Sequence, residues 1–123
     1  MAETKKILVV DDEEDIRDLL DAYLSKRGYT VNVAKDGLEA IKKTDAEKFD
    51  FVFLDIKMTG LNGVETFKRI KDKDPDCSVI IMTGYRTMAK ELITDPLKAQ
   101  IHSILYKPFS MKETLRIIEG RKK

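Results

Sequence analysis

Tryptophan is absent from the 123-residue chain, and cysteine and histidine occur once each. The lone Cys77 excludes an internal disulfide and every metal site built from several cysteines. Long apolar runs are missing too. Stretches such as Ile7-Leu8-Val9-Val10 fall far short of the ~20 apolar residues needed to span a bilayer. No apolar segment follows the N-terminal basic pair, so no secretory leader is read and a cytoplasmic location is expected. Charge of one sign is lacking as well: 23 Lys and Arg face 22 Asp and Glu, for a net +1. That total gives no pull toward nucleic acid or a membrane surface, and neither partner is expected. Internal repeats and low-complexity linkers are not seen. What is present, 42% hydrophobic and 37% charged residues over a length that suits one unit, describes a soluble globular domain across residues 1–123.

The near-neutral total hides an uneven distribution. Positions 11–21 hold seven acids (Asp11, Asp12, Glu13, Glu14, Asp15, Asp18, Asp21) and a single base, Arg17. The apolar residues fall into two kinds of segment. Ile7–Val10, Thr30–Ala34, Phe51–Leu54, Val79–Met82 and Ser103–Tyr106 are short and nearly continuous, as strands buried on both faces should be. Between them lie stretches with helical spacing. Ile16, Leu19, Leu20, Tyr23 and Leu24 form one stripe that Gly28 can terminate. Leu38 and Ile41 follow a cap at Asp36; Val64, Phe67 and Ile70 follow Asn62; Met111, Leu115 and Ile118 follow Ser110 and end at Gly120. A further helix over about 87–97 is cut short by Pro96. Five strands alternating with five helices predict right-handed crossovers and an α/β fold with a parallel sheet covered on both faces.

In such sheets ligands bind beyond the carboxyl ends of the strands. The first apolar run is followed by Asp11 and Asp12, the third by Asp55, the fourth by Thr83 and the last by Lys107-Pro108. The second ends in Ala34-Lys35 without an obvious contribution. Three carboxylates held together repel unless a cation intervenes, and an all-oxygen donor set with few protein ligands suits Mg²⁺. An aspartate beside such a metal is a nucleophile toward phosphorus, already deprotonated at neutral pH. The metal, a lysine charge and a threonine hydroxyl would then neutralise the oxygens of the transferring group.

These motifs together resemble the response-regulator receiver domain of two-component and phosphorelay signalling, over about residues 5–119. Ile-Leu-Val-Val-Asp11-Asp12-Glu13, Phe-Leu-Asp55-Ile-Lys-Met-Thr-Gly-Leu-Asn-Gly63, Ile-Met-Thr83-Gly84 and Tyr-Lys107-Pro108-Phe109 stand in the family's order and approximate spacing. The resemblance implies a flavodoxin-like, doubly wound (βα)5 fold, its five-stranded parallel sheet in the order 2-1-3-4-5. It implies that Asp55 accepts a phosphoryl group from a phosphohistidine on a sensor histidine kinase or phosphotransfer protein. Asp12 and Asp55 would ligate Mg²⁺ by side chain, Lys57 by its backbone carbonyl and Asp11 through water. Thr83 and Lys107 would contact the phosphoryl oxygens, and the Lys107–Pro108 bond would be cis. The chain would then be a signalling module that assists its own phosphotransfer and dephosphorylation rather than an enzyme. It would contact a downstream protein target or relay partner, as a monomer or weak dimer.

Several positions depart from the family's pattern. Ile104 stands three places before the lysine, where an aromatic switch residue is usual, and Tyr106 is expected to point elsewhere. Thr59, Gly84 and Gln100 replace a frequent proline, alanine and glycine, and the interval from Thr83 to Lys107 is about two residues longer than usual. Lys57 and the missing aromatic at 104 resemble sporulation-type relay receivers. Glu13, Glu14 and Asp15 read as an acidic first helical turn favoured by the helix dipole. His102 reads as a surface or partly packed side chain, and Cys77 as a small hydrophobe. The alternative function is a small Mg²⁺-dependent phosphohydrolase with an aspartyl nucleophile. Such enzymes commonly carry Asp-x-Asp after the first strand, whereas this chain has adjacent Asp11 and Asp12. A flavin-binding protein fails, because four consecutive acids after the first strand would repel its phosphate.

Overall fold

All five expected strands form, and each joins its neighbours in parallel. The computed structural model describes residues 5–56, 63–84 and 99–119. Along the chain run β1 (Lys6–Val10), α1 (Glu14–Lys26), β2 (Thr30–Ala34), α2 (Gly37–Ala46), β3 (Phe51–Asp55), α3 (Gly63–Lys73), β4 (Ser78–Thr83), β5 (Ser103–Tyr106) and α4 (Met111–Glu119). The sheet order is β2-β1-β3-β4-β5, as expected. The helix expected over 87–97, the cap at Asn62 and the stop at Gly120 lie outside the described residues. Among the described residues no helix is long and apolar enough to cross a membrane.

Strand alternation divides the core into two layers. Leu8, Val10, Val52, Leu54, Val79 and Ile81 point to the face covered by α2 and α3, where Ala40, Phe67 and Ile70 meet them. Ile7, Val9, Phe51, Phe53, Ile80 and Met82 point to the face covered by α1 and α4, against Leu20, Leu24 and Ile118. The apolar runs look continuous in sequence because both faces are buried.

Helix ends follow the expected chemistry. Asp36 caps α2 by accepting from the Glu39 N–H at 2.9 Å. Ser110 and Glu113 cap α4 reciprocally, each side chain accepting from the other's N–H at 3.0 Å. At the end of α1, Tyr29 donates to the Leu24 carbonyl at 3.2 Å and Gly28 to that of Ser25 at 3.1 Å. This closure needs a left-handed residue, and Gly28 supplies it with φ of +98°.

Two leucines read as part of apolar stripes are outside the core. Leu19 is 49% exposed and Leu38 61%. Leu19 lies about 90° around α1 from the centre of the inward-facing set formed by the buried Leu20 and Leu24 and the partly buried Ile16 and Tyr23, so it falls at the stripe's edge. In α2 the inward face is built from the small residues Gly37 and Ala40. Leu38, one position after Gly37, is turned to solvent. Cys77 is buried at the entrance of β4, and burial, with Asp74 next, pushes its thiol up to about 12. It therefore stays a protonated, unreactive hydrophobe at neutral pH, as read from the sequence.

Candidate functional site

Three strands, β1, β3 and β5, deliver the carboxylates and the lysine to one end of the sheet. β1 ends at Val10, and Asp11 continues its pairing by donating its N–H to the Ala34 carbonyl at 3.1 Å. β3 ends in Asp55 itself, and β4 in Thr83, one residue beyond the apolar runs in each case. Thr83 is the register partner of Tyr106, and its carbonyl accepts from the Lys107 N–H at 2.8 Å. Parallel pairing thus brings every strand end to the same edge.

Carboxylate oxygens of Asp11, Asp12 and Asp55 all lie within 4.8 Å of one another. Asp11 is fully buried, Asp55 nearly so, and Asp12 is exposed. The Lys107 ammonium sits among them, 2.8 Å from Asp11 Oδ2 and 3.2 Å from Asp55 Oδ2. Its approach to Asp11 is ionic, since that buried Oδ2 has no well-directed hydrogen bond among the described residues. Burial pushes the Lys107 ammonium down. The close contact with Asp11, the charges of Asp55 and Asp11 and the hydrogen bond to Asp55 outweigh it, so the lysine titrates above its ordinary value. Lys107 is a cation throughout the neutral range.

Thr83 is buried at the end of β4, on the strand between those carrying Asp55 and Lys107. The Lys107–Pro108 bond is cis, as expected. Lys57, the remaining expected ligand, lies outside the described residues. His102 stands at the opposite end of β5, exposed, with its ring edge-on to Phe51 at 6.0 Å. It is remote from the site in the strand direction.

Two readings of the sequence change. Glu13, assigned only to a helical first turn, also places its carboxylate 3.9 Å from the Lys107 ammonium. Sequence patterning offers no sign of this contact, because it joins residues at distant positions in the chain. Tyr106, expected to point away from Ile104, packs with it against the same core layer beneath α2 and α3. Residues two apart on a strand share a face. Tyr106 therefore stands opposite Thr83, and Ile104 opposite Ile81.

Gly63 closes the interval that follows the Asp55 strand. Its N–H donates to the Ile56 carbonyl at 3.2 Å. A Cβ at this position would lie 2.3 Å from Ile56 Cα and 2.4 Å from its carbonyl oxygen, both rigid backbone atoms. Gly63→Ala is expected to cost about 2 kcal/mol of stability through the forced shift of α3. Urea unfolding at neutral pH measures it, and a loss under about 0.5 kcal/mol would mean that the close approach relaxes freely.

Comparison with known proteins agrees with this geometry. The family description "Response regulator receiver domain" matches residues 7–119. Sporulation initiation phosphotransferase F of Bacillus subtilis (strain 168) is 39% identical over 109 residues, covering 89% of this chain and 86% of that protein. The alkaline phosphatase synthesis transcriptional regulatory protein PhoP of the same organism is 38% identical over 109 residues. That match covers 89% of this chain but spans only 45% of PhoP. Among solved structures, the response regulator protein TrrA of Thermotoga maritima, in complex with Mg(2+)-BeF, superposes with a TM-score of 0.83 at 34% identity. The alignment covers 95% of this chain and 98% of that one. With the parallel sheet order and the acidic cluster at its carboxyl edge, the chain belongs to the response regulator receiver domain family.

Proposed function

We propose that Asp55 is the phosphoacceptor, supported by a Mg²⁺ ion held by Asp11, Asp12 and Asp55, with Thr83 and Lys107 contacting the transferred group. The observation that carries this reading is the cluster of three carboxylates closed by one ammonium at the end of the sheet. The donor set fits a small hard cation: all its ligating atoms are oxygens, and the buried Asp11 Oδ2 has no directed hydrogen bond to occupy it. The backbone carbonyl of Lys57 is proposed as a fourth ligand. TrrA, similar over nearly its whole length, was crystallised with Mg(2+)-BeF.

The chain's own residues then have defined tasks. An Asp55 carboxylate oxygen forms the new bond to phosphorus as the P–N bond of a phosphohistidine breaks, and the departing imidazole takes its proton from solvent. Lys107, already beside Asp55, supplies a fixed positive charge where the transferring oxygens gather. Thr83 offers a hydroxyl from the neighbouring strand. Bound Mg²⁺ neutralises charge on the same oxygens and lowers the repulsion among the three carboxylates. Phosphorylation adds charge at Asp55 and biases the surrounding surface between two arrangements, changing protein contacts.

The donor proposed is a sensor histidine kinase or a histidine phosphotransfer protein, and the recipient a downstream protein or a relay partner. The 39% identity to sporulation initiation phosphotransferase F favours the relay. The role remains that of a cytoplasmic signalling module rather than a multiple-turnover enzyme.

Intact-mass analysis after incubation with Mg²⁺ and acetyl phosphate tests the reading. One phosphoryl group per chain is expected, and none when EDTA is present from the start. An unchanged mass with metal bound would overturn it, and turnover of many phosphate esters per chain would favour the hydrolase alternative.

A further inference from the structure

Of the side chains around the carboxylate cluster, Asp12 is the least supported. Asp11 is held at every polar atom. Its N–H donates to the Ala34 carbonyl, its Oδ1 accepts from the Glu13 N–H at 2.9 Å, its Oδ2 meets Lys107, and its carbonyl accepts from Arg17 Nη1 at 2.8 Å. The Asp12 carboxylate has no hydrogen bond or ion pair among the described residues. What aims Asp12 is therefore its backbone.

Arg17 controls that backbone. The Asp11 carbonyl belongs to the planar peptide group that also contains the Asp12 N–H and Cα, so holding the oxygen holds the plane from which Asp12 projects. The choice of partner is informative. Arg17 is the only base among the seven acids of positions 11–21, yet among the described residues its guanidinium pairs with no carboxylate and reaches back to a main-chain oxygen. It also stands in the first turn of α1, where the helix dipole disfavours a cation. Neither helix electrostatics nor ion pairing accounts for an arginine there.

We propose that Arg17 is a positioning residue for the cation site: by clamping the Asp11 carbonyl it fixes the Asp11–Asp12 peptide and keeps Asp12 within ligating distance of Asp11 and Asp55. This rests on the Mg²⁺ site proposed above. Arg17 touches neither the ion nor the phosphoryl group; it acts through the main chain, as outer-shell partners of metal ligands do through side chains.

Charge and position make opposite predictions, which makes the test sharp. Removing a nearby cation should by itself tighten binding of a divalent ion, whereas loosening Asp12 should weaken it. Calorimetric titration of the full chain with Mg²⁺ is expected to show the dissociation constant of Arg17→Gln raised about tenfold, the lower end of outer-shell effects. Arg17→Lys, still able to donate, should recover most of the affinity. Arg27→Gln, which removes the same charge at the far end of α1, should match wild type. In metal-free protein, amide exchange at the Glu13 N–H should quicken in Arg17→Gln, because its acceptor is Asp11 Oδ1. Should Arg17→Gln not melt cooperatively, Arg17→Met, which keeps the aliphatic stem, takes its place. Equal or tighter Mg²⁺ binding by the folded variant would overturn the role of Arg17 alone. Failure of the wild type to bind Mg²⁺ would overturn the site itself, and this role with it.

Discussion

Asp55→Asn is expected to take up no phosphoryl group from acetyl phosphate, under conditions in which the wild type takes up one. The substitution keeps the size of the side chain and removes its nucleophilic charge. The fold should survive. Asp55 lies at the end of β3 rather than within its apolar run, and Lys107 retains Asp11 as a partner at 2.8 Å. Fewer mutually repelling carboxylates also remain at the sheet edge. Intact mass with a parallel thermal melt checks both halves. A phosphoryl group on the folded variant would place the acceptor on another residue.

Lys107→Met should have the next largest effect, and in two separate measurements. Without its ammonium, the site loses the positive charge that stands 3.2 Å from Asp55. Uptake from acetyl phosphate should slow about 100-fold, the scale for removing one preorganised electrostatic partner of a transition state. Stability should fall as well, because Asp11 is fully buried and its ion-pair partner is gone. Stranding a buried charge costs about 3 kcal/mol, so urea unfolding in EDTA should show a deficit of that order. Millimolar Mg²⁺ should restore much of it by replacing the missing positive charge and binding the folded state. The pH dependence follows from the raised titration of Lys107. Its pairs contribute fully below the unfolded lysine value of 10.5 and are lost as pH rises through the higher folded value. The gap between wild type and variant should therefore be widest at neutral pH and close only above about 10.5. A rate within twofold of wild type would remove Lys107 from the phosphoryl site.

Much of this arrangement is legible in the one-dimensional pattern. Strands buried on both faces are apolar throughout, so the polar residue that ends each run stands out, and Asp11, Asp12, Asp55, Thr83 and Lys107 are those residues. Their convergence follows from parallel pairing, which sends every carboxyl end to one edge. The caps at Asp36 and Ser110 and the stop at Gly28 are equally local, each set by hydrogen bonds or backbone freedom within a few residues.

Other features depend on which elements lie side by side. Leu19 and Leu38 fit helical stripes on paper, but the buried arc is set by how closely each helix approaches the sheet, and small residues at Gly37 and Ala40 turn Leu38 outward. Tyr106 shares the Ile104 face because the strand period is two, and it meets Thr83 only through the β4–β5 register. The family's motifs and the periodicity of the chain alone determined the fold class and the residues at the strand ends, since both arise from local burial and backbone pairing. Tertiary structure alone decided that Lys107 bridges Asp11 and Asp55, that Glu13 joins them at 3.9 Å and that Arg17 clamps a main-chain oxygen instead of an acid. The lysine contacts are set by distances between side chains on separate elements, and the Arg17 contact by how the chain turns from β1 into α1; periodicity assigns a residue its face but neither of these neighbours.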